Sequence, residues 1–144
     1  MYIKKRNFIL NTLKSNNKVE LFNDVFFTPI LIDELANRVH QLIDIDAKGV
    51  YNIVGNERIS KYEFGLKLAN FFELNVSLIN AINLANKTEL ARRPKDMSLS
   101  NIKLCEALKC KIPSIDEQLN TLKIQKESKI NAFDQVSVDI IPYG

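Results

Sequence analysis

The chain has no tryptophan, one histidine, two cysteines and four glycines in 144 residues, and each scarcity excludes a class of chemistry. A nicotinamide-binding turn needs clustered glycines, so that the backbone can approach a pyrophosphate. Gly49, Gly55, Gly65 and Gly144 are too far apart to build one. A single histidine and two cysteines supply too few soft ligands for a zinc site. His40 has no visible partner in sequence and reads as a partly buried or surface residue of a helix. Cys105 and Cys110 lie five apart on what reads as one helix. That spacing points them to different faces and predicts reduced packing residues with no disulfide between them. No apolar run approaches the length of a membrane span, and the segment Met1-Tyr2-Ile3-Lys4-Lys5-Arg6 lacks the apolar stretch of a signal peptide. No membrane association and a cytoplasmic location are the expectation. Twenty basic and 17 acidic residues are spread along the whole chain, for a net charge of +3, so no basic stripe argues for nucleic acid.

What the chain has is a 46% hydrophobic composition, enough for one core. Apolar spacing predicts a short helix over 7–13, ended by Ser15-Asn16-Asn17, and polar–apolar alternation predicts a strand over 18–22. Val25 to Pro29 is expected to be extended, because the residue before proline is pushed out of the helical region. Leu31, Leu35, Val39, Leu42 and Ile43 share one face of a helix over 30–44. Val50-Tyr51-Asn52-Ile53-Val54 reads as a buried strand. Ser60-Lys61-Tyr62-Glu63 has capping-box spacing and opens a helix whose aromatic stripe reads as core. Residues 76–84 read as a short strand, and 99–109 as a helix capped by Ser100. A second Ser-x-x-Glu, Ser114 to Glu117, opens a last helix. The expected architecture is a small, mixed α/β, helix-rich unit. Its boundaries are 1–125 for a binding subdomain and 126–144 for a C-terminal tail of uncertain structure.

The residue order that suggests a ligand is Ala91-Arg92-Arg93-Pro94-Lys95-Asp96-Met97-Ser98. Two guanidinium groups beside a proline-fixed turn can meet phosphate oxygens bidentately, although arginine pairs are also common on solvated surfaces. The order Ala-x-Arg-Pro followed by Leu99-Ser100-x-x-Lys103-Leu104 resembles the C-terminal signature of the dTDP-4-dehydrorhamnose reductase (RmlD-like) family of extended short-chain dehydrogenases. That family has aspartate where Ser100 stands. Gly49-Val50-Tyr51-Asn52, a loop and Ser60-x-x-Glu63-Phe64 resemble the same family, as does Asp24 with Thr28-Pro29. The resemblance covers about 7–123 here and only the C-terminal half of the family's length.

The resemblance implies a substrate-binding half that lacks the Rossmann half, bound to a nucleotide diphospho-sugar. Arg93 would be the diphosphate contact, Arg92 a second anchor, and Asp96 the residue that orients the turn. It implies no catalytic residue in this chain. The dehydrogenases use a tyrosine with a lysine four residues later, and the residues four past Tyr2, Tyr51 and Tyr62 are Arg6, Gly55 and Leu66. No cofactor is expected on this chain; NADPH or NADH serves the complete family and would come with a separate chain carrying the Rossmann half. A split gene product and a fragment fit equally. The competing reading is a non-catalytic interaction or regulatory module of the same fold, or a truncated remnant.

Overall fold

The computed structural model describes residues 2–88 and 94–128, with side chains from residue 7 onward. Among the described residues five α-helices and four short strands follow one another: α1 (Tyr2–Lys14), β1 (Val19–Phe22), β2 (Phe26–Phe27), α2 (Ile32–Asp44), β3 (Ile59–Ser60), α3 (Lys61–Phe71), β4 (Ile79–Ile82), α4 (Ile102–Leu108) and α5 (Ile115–Ser128), with 3-10 turns at Val76–Leu78 and Leu84–Asn86. β1 pairs with β4 in parallel, Val19 opposite Ile79 and Phe22 opposite Ile82. β2 pairs antiparallel with β3, Phe26 opposite Ser60 and Phe27 opposite Ile59. The chain is thus mixed α/β and helix-rich. No helix among the described residues is long and apolar enough to cross a membrane.

The core forms where α1, α3 and α5 close over β1 and β4. Leu10, Leu13, Val19, Phe64, Leu68, Ile79, Leu119 and Leu122 are all buried there. α3 can lie on β1 because its contact residue is Gly65, where an added Cβ would stand 2.2 Å from Leu21 Cδ1. The start of α2 is tied to α5 by Gln118, whose side-chain oxygen accepts from Leu31 N at 2.6 Å and whose amide donates to the Pro113 carbonyl at 2.8 Å. Gln118 is buried, so both bonds offset a desolvation that would otherwise go uncompensated.

Both capping boxes close. Ser60 Oγ accepts from Glu63 N at 3.1 Å while Glu63 Oε2 accepts from Ser60 N at 3.0 Å. Ser114 Oγ and Glu117 make the same exchange at 3.2 and 2.7 Å. Helix ends share one device as well. Asn16, Asp46, Glu73 and Lys109 each take a left-handed φ between 48° and 57°. Each is followed by an amide that reaches back five residues to a carbonyl: Asn17 to Thr12, Ala47 to Leu42, Leu74 to Ala69 and Cys110 to Cys105. This is the Schellman motif, which a side-chain contact between the two ends of that bond frequently accompanies.

The motif corrects the reading of the two cysteines. α4 ends at Leu108, and the left-handed Lys109 turns Cys110 back onto the last turn of α4, placing it beside Cys105 instead of on another face. Three further expectations change. Val50–Val54 belongs to no strand among the described residues, because β-forming side chains give a ladder only where a second strand supplies it. Lys103 Nζ donates to the Val50 carbonyl (2.8 Å), Asn52 donates to the Ser100 carbonyl (3.2 Å) and Asn101 to the Val54 carbonyl (3.1 Å), so side chains hold this segment. α4 starts at Ile102, not at 99, with Asn101 in the N-cap place; the Asn101 side chain gives no cap because its amide is drawn to Val54 and to Asn56 Oδ1 (2.7 Å), and the Ser100 hydroxyl accepts from Ile102 N at 3.4 Å. α2 has its apolar stripe and yet contains no buried residue: Ile32, Val39 and Ile43 are all exposed.

Candidate functional site

The polar site grows from β2. Its two residues point to opposite faces. Phe26 also pairs on its free edge with the segment after Pro94, its amide donating to the Lys95 carbonyl at 2.7 Å and its carbonyl accepting from Met97 N at 3.0 Å. That pairing fixes Asp96. One oxygen of its carboxylate accepts from Ser98 N (3.0 Å) and Ser98 Oγ (2.6 Å), and the other accepts from Arg58 Nε (2.9 Å). The Ser98 hydroxyl and amide, followed by Arg58, hold the carboxyl down at about 2. The Arg58 guanidinium carbon sits 3.7 Å above the Phe26 ring, so the cation is stacked as well as paired. Lys95 pairs with Asp24 at 2.9 Å. Asp24 also accepts from Leu84 N at 2.8 Å, and its carboxyl is lowered by Lys95 first and by that amide second.

The chain immediately after the arginine pair is therefore anchored at three consecutive residues. Arg92 and Arg93 themselves lie outside the described residues. Of the residues named from sequence, Asp96 is placed by the structure, and it orders the turn through Ser98. Arg58 was not named. Its signal lies 38 residues from Asp96, in a loop of unremarkable composition, and only the β2–β3 pairing brings the two together.

On the other face of β2, Phe27 meets Phe64 edge-to-face at 5.5 Å and lines a cavity of about 360 Å³. Phe8, Leu21, Phe22 and Pro29 complete its apolar wall, with Thr28, Glu20 and Lys61 as the polar members. The Lys61 ammonium lies 3.2 Å from the Phe27 ring centroid. Thr28 Oγ1 accepts from Leu99 N at 3.3 Å, which joins the cavity rim to the segment that carries Asp96 and Ser98. The sequence reading assigned the aromatic stripe of α3 to the core, and Phe64 is buried there; Phe8, across the cavity, is 60% exposed. Among the described residues no group of three or more His, Cys, Asp or Glu is placed to hold a metal ion. His40 is exposed on α2.

The family described as RmlD substrate binding domain matches residues 4–127. A probable low-salt glycan biosynthesis reductase of Haloferax volcanii is 24% identical over 115 residues, which is 80% of this chain and 38% of that protein. The crystal structure of dTDP-4-dehydrorhamnose reductase from Bacillus anthracis in complex with NADP superposes with a TM-score of 0.76 at 19% identity, over 83% of this chain and 42% of that one. A hypothetical dTDP-4-dehydrorhamnose reductase from Sulfolobus tokodaii gives 0.67 at 26% identity, over 80% and 40%. The chain spans about two fifths of the length of these relatives.

Proposed function

The chain belongs to the RmlD substrate binding domain family, and from that premise we propose that it is the nucleotide-sugar-binding portion of a dTDP-4-dehydrorhamnose reductase-like oxidoreductase. In this reading Arg93 grips the diphosphate, Arg92 is a second anchor and Asp96 sets the turn that presents them. The observation that carries it is the clamp on the chain just past the pair, the Phe26 ladder to Lys95 and Met97 with the Asp96–Ser98 bonds. A guanidinium fork gains most when the backbone under it is already ordered, because less entropy is lost on binding. Arg58, stacked on Phe26, steadies the same turn through its bond to Asp96.

Reduction of a 4-keto sugar nucleotide by NADPH would be the chemistry of the assembled protein. This chain's residues do not fit the nicotinamide cofactor. Gly55 is occupied by close approach to Pro29, with an added Cβ 2.0 Å from its carbonyl oxygen, and Gly65 by contact with Leu21. Neither offers backbone to a pyrophosphate, so the cofactor would be held by a Rossmann half on the same or another chain. Two features support such a partner: the exposed apolar stripe of α2, and the Val50–Val54 segment, whose Val50 is 82% exposed. The same face supports the second reading, a non-catalytic interaction module.

Calorimetric titration with dTDP, dTDP-rhamnose and NADPH at low salt separates the readings. Binding of the two dTDP ligands and none of NADPH is the expected result. Arg93→Ala should weaken the dTDP ligands by about 1.5–3 kcal/mol, the range for a hydrogen bond to a charged group. Unchanged affinity in that variant refutes the clamp, and silence of the unaltered chain toward both dTDP ligands transfers the reading to an interaction module.

A further inference from the structure

The C-terminal end of α4 holds two thiols where α2 and α3 hold apolar packing groups. In the Schellman motifs of α2 and α3, the side chains at the ends of the backward-reaching bond are Leu42 with Ala47 and Ala69 with Leu74. At α4 the same two places are Cys105 and Cys110, with Cys110 N donating to the Cys105 carbonyl at 3.1 Å. The Cys105 thiol lies close enough to act on that of Cys110, and both are half-buried. We propose that Cys105 and Cys110 are a redox-active dithiol, a modification site that closes to an intramolecular disulfide by exchange with a low-molecular-weight disulfide such as oxidised glutathione.

The backbone makes the closure local. A disulfide needs its two residues side by side, with side chains converging. The left-handed Lys109 and the 3.1 Å amide bond already bring the two residues' backbones side by side. The surroundings set the order of events. Burial pushes the Cys110 thiol up, opposed by the nearby Arg38 guanidinium and reinforced by Cys105 and Glu34. Cys110, whose proton burial holds more firmly, is the thiol that acts second. The Cys105 thiolate attacks one sulfur of the glutathione disulfide, breaking that bond and releasing a glutathione thiolate, to leave a mixed disulfide on Cys105. Cys110 then gives its proton to solvent and attacks Cys105 Sγ, and the second glutathione leaves as thiolate and is protonated. Two protein thiols are oxidised and one disulfide is reduced to two thiols, so atoms and electrons balance.

The position gives the bond a structural consequence. Cys110 is followed by Lys111, whose carbonyl accepts from Arg38 of α2 at 3.4 Å, and by Ile112, which is fully buried and whose carbonyl accepts from Asn56. A covalent link across Lys109 fixes the end of α4 to this joint between α2 and α5.

The test uses the folded chain in buffers of graded reduced-to-oxidised glutathione ratio, quenched with iodoacetamide and digested with trypsin. Trypsin cuts after Lys103, Lys109 and Lys111, so a Cys105–Cys110 bond appears as two peptides, 104–109 and 110–111, joined at a mass two hydrogens below their sum. The expected result is that this joined species dominates under oxidising ratios and disappears on reduction, while Cys110→Ser accumulates a stable glutathione adduct on Cys105. Persistence of that adduct on the unaltered chain, alkylation of both cysteines at every ratio, or cross-linking only between chains would each overturn the proposal.

Discussion

Replacing Ser60 by alanine removes a single hydroxyl and isolates the device that holds β3 to α3. Ser60 is 1% exposed, with φ −74° and ψ 160°, a conformation alanine adopts without strain. The change deletes the acceptor for Glu63 N (3.1 Å) and a donor to Glu63 Oε2 (2.9 Å), and leaves the Ser60 N to Glu63 bond (3.0 Å) in place. Loss of a serine N-cap costs about 0.5–2 kcal/mol, and the upper part of that range applies where the residue is buried and water cannot replace the hydroxyl. We expect a loss of about 1.5–2 kcal/mol at pH 7, read as a lower urea midpoint with an unchanged m-value. The pH dependence has a determined sign. The Ser60 amide first and its hydroxyl second hold the Glu63 carboxyl below its ordinary value. A depressed carboxyl contributes stability that is present above its unfolded pKa, near 4, and lost as pH falls through the folded one. The variant keeps only the amide, so it has less to lose, and the gap between the two proteins narrows in acid. A gap below about 0.5 kcal/mol at pH 7, or one that widens toward pH 3, would refute this account of the cap.

Three further outcomes follow from the same geometry. Gly55→Ala places a Cβ 2.0 Å from the Pro29 carbonyl oxygen, backbone that cannot rotate away, and should destabilise by about 3 kcal/mol or more in urea titration. Gly65→Ala meets only the mobile Leu21 Cδ1 at 2.2 Å and gains about 1 kcal/mol of helix propensity, so it should be the milder of the two, and the reverse order would contradict the packing. Asp96 is held at about 2 by Ser98 and then Arg58, so its share of stability is present above pH 4 and disappears as pH falls toward 2; Asp96→Asn should flatten that part of the acid unfolding curve, monitored by circular dichroism.

The parts of this fold that were legible in the sequence are those whose cause lies within a few residues. Both Ser-x-x-Glu boxes, the extended Phe27-Thr28 before Pro29, and the strands expected over 18–22 and 76–84, of which 19–22 and 79–82 form with a 3-10 turn on each side of the second, depend on side chains bonding to their own backbone or on an apolar pattern that any neighbouring strand will satisfy. The misread parts depend on what a segment meets. Val50–Val54 has the composition of a strand but no ladder among the described residues, and α2 has the stripe of a packed helix but no buried residue, because no second strand pairs with the first and the stripe of the second stays half-buried or exposed among those residues. The Arg58–Asp96 pair is invisible for the complementary reason: each residue looks ordinary alone, and β2 is the template that joins them. The cysteines failed differently, since their cause is local. Helix spacing was extended one residue too far, through a lysine in the left-handed region where glycine would have announced the turn. Asn16 ends α1 with the same turn and an exposed Asn17 behind it, while Asp46 and Glu73 end α2 and α3 with a half-buried residue behind the turn. In α2, α3 and α4 that packing residue is Ala47, Leu74 or Cys110. Putting a thiol in the place of an alanine or a leucine keeps the stop signal and adds a reactive group to it, which is why the pair reads as ordinary core until the helix end is located.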